Sequence, residues 1–200
     1  MALKNFVKIN QVSSLSDARY CAGMGVDILG FSLTEGSPSY IGPEQFKEIT
    51  QWVSGPKFAG EFNDANAEEI KLTALDYSLD FIETTISKHL DSLSSFGIPI
   101  ILRTKIKNEK EIMDLKEILT YEGDLLKYLH LEIESPLLNK QSGVLNEMKV
   151  PIILGISSPS QNLNLLQNHG ISLTAHLEEQ TGLQDYGDIM DVLEALEIDD

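Results

Sequence analysis

One cysteine, one tryptophan and only fifteen basic residues against thirty-one acidic ones stand in a chain of 200 residues. Each scarcity excludes something. The lone cysteine, Cys21, leaves no partner for an internal disulfide and fits a reducing compartment. It falls on the apolar side of the first expected helix and reads as a packed small hydrophobe rather than a nucleophile. A formal net charge of −16 repels phosphate backbones, so nucleic acid is not an expected partner. No run approaches the roughly 18 apolar residues of a membrane span, and Met1 to Phe6 lacks the hydrophobic stretch of a signal peptide. The expectation is a cytoplasmic protein that does not engage a membrane. No glycine fingerprint follows the first strand, which removes the phosphate loop of a dinucleotide-binding fold.

What remains is ordinary for a soluble domain, with 42% apolar and 23% charged residues, enough for one core over residues 1–200. The alternating run Phe6 to Asn10 reads as a strand, the segment from Ser16-Asp17 to Gly23 as a helix capped by a serine, and Val26 to Leu33 as a second strand. That βαβ unit sets a period which recurs. Strands are expected at Lys57–Phe62, Phe81–Thr85, Ile98–Arg103, Tyr128–Ile133, Pro151–Leu154 and Ile171–Leu177. Helices are expected at Pro43–Val53, Asn66–Tyr77, Lys88–Ser95, Asn108–Leu119, Pro159–Asn168 and Asp188–Leu196, with helix or loop over Pro136–Met148. In the second helix Phe46, Ile49, Trp52 and Val53 are expected to point inward. Eight alternations with short connections suit either a doubly wound sheet or a closed barrel. Without the glycine fingerprint, the α/β fold class expected is a single (βα)8 TIM barrel.

In such a barrel the residues that do chemistry lie at the C-terminal strand ends, and side chains alternate between helices and lumen. The alternation sends Phe6, Lys8 and Asn10 inward on the first strand and Phe81, Glu83 and Thr85 together on the fourth. Tyr128, His130 and Glu132 go inward on the sixth, and Ser172, Thr174 and His176 share a face on the eighth. The facing of Arg103 is not fixed by the pattern. The inferred mouth holds Asn10, Glu83, Glu132 and His176, with Lys8 and His130 deeper and Glu83 pairing with Lys8. Glu83, His130, Glu132 and His176 are suitable metal-ligand types, but their spacing fixes no coordination geometry, and neither metal nor cofactor is expected.

The segments Lys8 to Ser13, Asp17-Ala18, Gly25 to Phe31 and Ser37 to Ile41, with Gly170-Ile171 to Glu178 and Thr181 to Asp185 at the far end, together resemble phosphoribosylanthranilate isomerase of tryptophan biosynthesis. The resemblance covers about the first 85 and the last 50 residues. It implies a (βα)8 barrel, a small-molecule ligand (a sugar phosphate or a carboxylate), and an Amadori rearrangement in which a carboxylic acid and a thiolate share the proton transfers. It also shows where this chain departs. The family's cysteine base in K-I-C-G is Asn10 here, within Lys8-Ile9-Asn10-Gln11, and an amide has no accessible basic form. The family's aspartic acid aligns with Glu132. Its anthranilate-gripping arginine in S-P-R-Y is Ser39. The small-residue turn after the seventh strand aligns with Gly155, Ile156 and Ser157, and the one after the eighth with Thr174, Ala175 and His176.

The expected catalytic positions are therefore Glu132, Asn10 at the place of the family base, and Glu83. The expected substrate-binding positions are Ser39, Gly155, Ser157, Thr174 and His176. The reading is an isomerase-like barrel that has lost the usual Amadori activity, as a ligand-binding or regulatory pseudoenzyme or with altered sugar-phosphate or carboxylate specificity. The alternative is a genuine isomerase that uses a base other than cysteine.

Overall fold

The computed structural model describes residues 2–63, 65–85, 90–119, 125–156, 168–175 and 187–198. Eight parallel strands close into a barrel in sequence order: β1 (Val7–Asn10), β2 (Ile28–Ser32), β3 (Lys57–Phe62), β4 (Phe81–Thr84), β5 (Ile100–Ile106), β6 (Leu126–Ile133), β7 (Ile152–Gly155) and β8 (Gly170–Thr174). Closure is made by β8 against β1, with Val7 opposite Ile171 and Asn10 opposite Thr174. The (βα)8 class is thus the observed one. Among the described residues the outer helices are α1 (Leu15–Gly23), α2 (Pro43–Thr50), α3 (Ala67–Tyr77), α4 (Leu90–Ser94), α5 (Glu109–Ile118), α6 (Ser135–Asn146) and α7 (Gly187–Ala195).

Local chemistry explains where these helices begin and end. Ser14 opens α1 by accepting the Asp17 N–H at 3.1 Å, one of the donors a first helical turn leaves free. Asn66 and Glu69 form a reciprocal capping box at α3. Pro43 enters α2 in its first turn, where a missing N–H costs nothing. The segment left open between helix and loop is the regular helix α6, entered through Pro136. The helix expected at Pro159–Asn168 lies almost wholly outside the described residues.

One inward assignment is corrected. Phe46 and Ile49 are buried on α2, with Phe46 edge-on to Phe31 and Tyr77 at ring separations of 5.0 and 5.1 Å. Trp52, expected on the same face, is 69% exposed. The helix ends at Thr50, so the helical period that would turn Trp52 inward is broken two residues before it.

The main core fills the shell between sheet and helices, from Val7 and Ile9 on β1 to Val192 and Leu193 on α7. A second, smaller cluster closes the lumen from inside: Ile28, Ala59 and Ile101, with Phe6, Phe81 and Tyr128 packed on them. Phe6 and Tyr128 stack at 4.9 Å. This apolar floor occupies the N-terminal half of the barrel and leaves the C-terminal half for polar side chains. No helix among the described residues is long and apolar enough to cross a membrane.

Candidate functional site at the barrel mouth

Directly above the apolar floor lies a layer of buried charge. Lys8 is fully buried, and its Nζ sits 2.5 Å from Glu61 Oε1 and 3.0 Å from Glu83 Oε2. The alternation that turns Lys8 inward also turns Gly30 inward on β2, and the missing side chain there is a requirement. A Cβ at Gly30 would stand 2.0 Å from Glu61 Oε1 and 2.8 Å from Lys8 Nζ. Glu61 is held from a second side by the Gln11 N–H at 3.2 Å. Gln11 carries φ of +55°, the left-handed region that costs an ordinary L-residue about 1–2 kcal/mol. It occupies the place where the resembled family has glycine.

Glu83 is the hub of this layer. Besides Lys8 it meets His130 Nδ1 at 3.3 Å through both carboxylate oxygens, and Arg103 Nη1 at 3.6 Å. Burial pushes its carboxyl upward, but Lys8, His130 and Arg103 prevail and hold it well below the usual glutamate range. Lys8 behaves as the complement: burial lowers it, while the two carboxylates raise it above its ordinary value. His130 Nε2 and the Ser172 hydroxyl lie 2.6 Å apart, which ties β6 to β8 across the lumen.

The mouth sits on this layer. Asn10 Oδ1 accepts from Lys8 Nζ in a short contact, and Asn10 Nδ2 faces Thr174 Oγ1 at 3.4 Å. Arg103 points inward, donates to Asn63 Oδ1, and brings its Nε to 3.8 Å from Glu132 Oε1. The Glu132 side chain is 45% exposed, in contrast to the buried Glu83. Gly155 lies beside it: a Cβ there would come within ordinary contact of Glu132 Cγ at 3.5 Å and His130 Nε2 at 3.7 Å. Ser39 is buried in the loop after β2 and joined through Ser37 at 3.3 Å to Ser32 at the end of that strand. Of the expected site residues, Asn10, Glu83, Glu132, Gly155 and Thr174 are thus brought to the C-terminal half of the barrel, and Ser39 to the adjoining loop. Ser157 and His176 lie outside the described residues. Among the described residues no three potential ligands converge as a metal site requires.

Three participants were not among the expected site residues. Glu61 follows Ala59 at strand spacing on β3, so the alternation applied to the other strands would have placed it in the lumen. Asn63, just beyond β3, continues that face. Arg103 shares the lumen face of β5 with Ile101 two residues earlier, but the apolar run that precedes it shows no alternation from which to read that face.

No family model matches the chain. A curated relative from Sulfurihydrogenibium sp. (strain YO3AOP1), N-(5'-phosphoribosyl)anthranilate isomerase, is 24% identical over 189 residues, covering 90% of this chain and 92% of the relative. This chain's relatives are phosphoribosylanthranilate isomerases. Among solved structures, a phosphoribosyl anthranilate isomerase in complex with reduced 1-(o-carboxyphenylamino)-1-deoxyribulose 5-phosphate superposes with a TM-score of 0.79 at 17% identity, over 95% of this chain and 97% of that one. The isomerase from Thermus thermophilus superposes with a TM-score of 0.75 at 22% identity, over 96% and 98% of the two chains. At these identities the superposition of the isomerases establishes a shared barrel.

Proposed function

We propose that this chain is a phosphoribosylanthranilate isomerase-like barrel that binds a small polar ligand at its C-terminal mouth and does not carry out the Amadori isomerisation. The observation that carries the reading is Asn10. It stands at the end of β1, where the resembled family has its thiolate base, and its amide oxygen is taken up by the Lys8 ammonium. An amide so held can neither remove a proton nor release one.

The neighbouring carboxylates do not readily replace that base. Glu83 is buried among Lys8, His130 and Arg103 and held well below the usual range, which makes it a weak proton acceptor. Glu132 is the one carboxylate of the cluster with substantial exposure. It supports a second reading, in which Glu132 serves as acid or base in a different reaction on a sugar phosphate or carboxylate. Ser39 in place of the family's arginine takes away a bidentate grip on a ligand carboxylate.

Complementation tests the reading. The gene should not rescue a tryptophan auxotroph that lacks the isomerase. Asn10→Cys combined with Ser39→Arg should raise isomerase activity measurably above that of the unmodified protein, because loss of one acid–base group alone lowers rates by about 10²–10⁴-fold. The two changes should act non-additively, since base and anchor serve one transition state. Robust rescue by the unmodified gene would overturn the reading and direct mutagenesis to Glu132 and Glu83.

A further inference from the structure

Lys8 decides more than the charge balance of the barrel. An ammonium has three donors and no acceptor, so the side-chain atom that Asn10 turns toward it must be the oxygen. The amide nitrogen is then forced to the other side, toward Thr174 Oγ1, 3.4 Å away at the strand end. That distance is too long for a strong bond, and the amide carries two N–H groups for one hydroxyl. Lys8 is itself locked by Glu61 and Glu83, so the amide cannot flip without leaving a buried ammonium facing a donor.

The charges around this amide define what it can receive. Among the described lumen side chains Lys8, Arg103 and His130 face three carboxylates, Glu61, Glu83 and Glu132. These described groups carry no positive surplus, and the whole chain carries a formal −16. Among the described side chains an anionic oxygen brought to Asn10 would meet no surplus cation, whereas an uncharged acceptor oxygen meets a preset donor. The half-exposed Glu132 carboxylate stands ready to accept from a hydroxyl on the same ligand.

We infer that Asn10 is a specificity-determining donor of the mouth, its amide group aimed by Lys8 at an uncharged carbonyl or hydroxyl oxygen of a polyhydroxy ligand. Lys8 is the positioning residue and Asn10 the ligand-contacting one. The inference rests on the mouth being a small-molecule site, and it names the class of ligand group which that site reads.

Calorimetric titration with D-ribulose (a ketose), ribitol (a polyol) and D-ribonate (an anionic sugar acid) tests it. The expected result is that D-ribulose binds more tightly than D-ribonate. Asn10→Asp keeps an oxygen for Lys8 but removes both N–H donors, and it should weaken D-ribulose binding tenfold or more. Equal binding by wild type and Asn10→Asp overturns the donor role and leaves the mouth reading intact. Tighter binding of D-ribonate, or no binding of any of the three, overturns the assigned ligand class, whereas failure of the pseudoenzyme reading shows separately as rescue of the auxotroph. A ligand-free measurement stands apart from whether the variant folds. In labelled wild-type protein, nuclear Overhauser contacts from the Asn10 amide protons should run to the Thr174 methyl and not to the Lys8 Cε protons. The reverse pattern overturns the orientation.

Discussion

At the scale of single residues, the barrel is decided by one buried ammonium. Lys8 pairs with two carboxylates that have almost no access to water, with side-chain exposures of 4% for Glu61 and 2% for Glu83. Removing it strands both. Lys8→Met, close to lysine in length, should therefore lower unfolding free energy by about 3–5 kcal/mol, the range for breaking a buried pair from one side; denaturant unfolding measures this. Triple replacement with Glu61→Gln and Glu83→Gln should recover much of the loss. A single variant as stable as wild type would mean that the pairs contribute nothing. The same triad fixes the acid and alkaline limits. The folded-state pKa of Glu83 lies below its ordinary 4.5, so its stabilisation is complete above that value and is lost as pH falls through the lower, folded one. The folded-state pKa of Lys8 lies above its ordinary 10.5, so its contribution is complete below 10.5 and is lost as pH rises through the higher one. Denaturant midpoints should form a plateau between these limits and fall below about pH 4.5; a midpoint that rises on acidification there would show that burial, not charge pairing, governs Glu83.

At the scale of elements, caps and turns carry local stability that packing alone does not supply. Asn66 accepts from the N–H groups of Glu68 and Glu69, each at 3.1 Å, and opens α3 on an exposed surface. Asn66→Ala should cost about 1 kcal/mol, seen as a lower melting temperature with an unchanged circular dichroism spectrum. This is also the scale at which the sequence is most readable. Lys57–Phe62 has the same bounds as β3, because Pro56 before it and a polar turn after it delimit an apolar stretch. Phe81–Thr84 and Ile152–Gly155 are shifted by one residue at most. The inward set Lys8, Glu83 and His130 is visible because period-2 alternation survives in short, regular strands. Arg103 is not, because the uniformly apolar run before it on β5 shows no alternation to mark the lumen face. Glu61 is legible by the same alternation, two residues after Ala59, and only its partner, a lysine two strands away, is not. Trp52 is misplaced because sequence periodicity continues past Thr50, where the helical ladder gives way to i→i−3 turns from Trp52 to Ile49 and from Val53 to Thr50. Ser157 carries no periodicity to place it and is read only through the family resemblance, whereas His176 is read also from the alternation expected on the eighth strand; both lie outside the described residues.

At the scale of the whole molecule, the excess of acid acts on everything at once. Repulsion among the charges behind a formal −16 works against the compact state and is screened by salt over about 10 Å at 0.1 M. Raising sodium chloride from millimolar levels to about 0.5 M should raise the melting temperature, although the buried Lys8 pairs are shielded from salt. A melting temperature that falls with salt would mean that attraction within surface ion pairs outweighs the net repulsion. The exposed Trp52 has an optical consequence. It is the chain's single indole, it follows α2 where that helix has run back from the mouth to the floor end of the barrel, and it is already in water. Native emission should therefore be red-shifted and hardly move on unfolding, and a ligand entering at Asn10 should leave it dark to the event. Tyrosine absorbance is the better reporter of the fold, because Tyr77 and Tyr128 sit in packed aromatic contacts that dissolve with it.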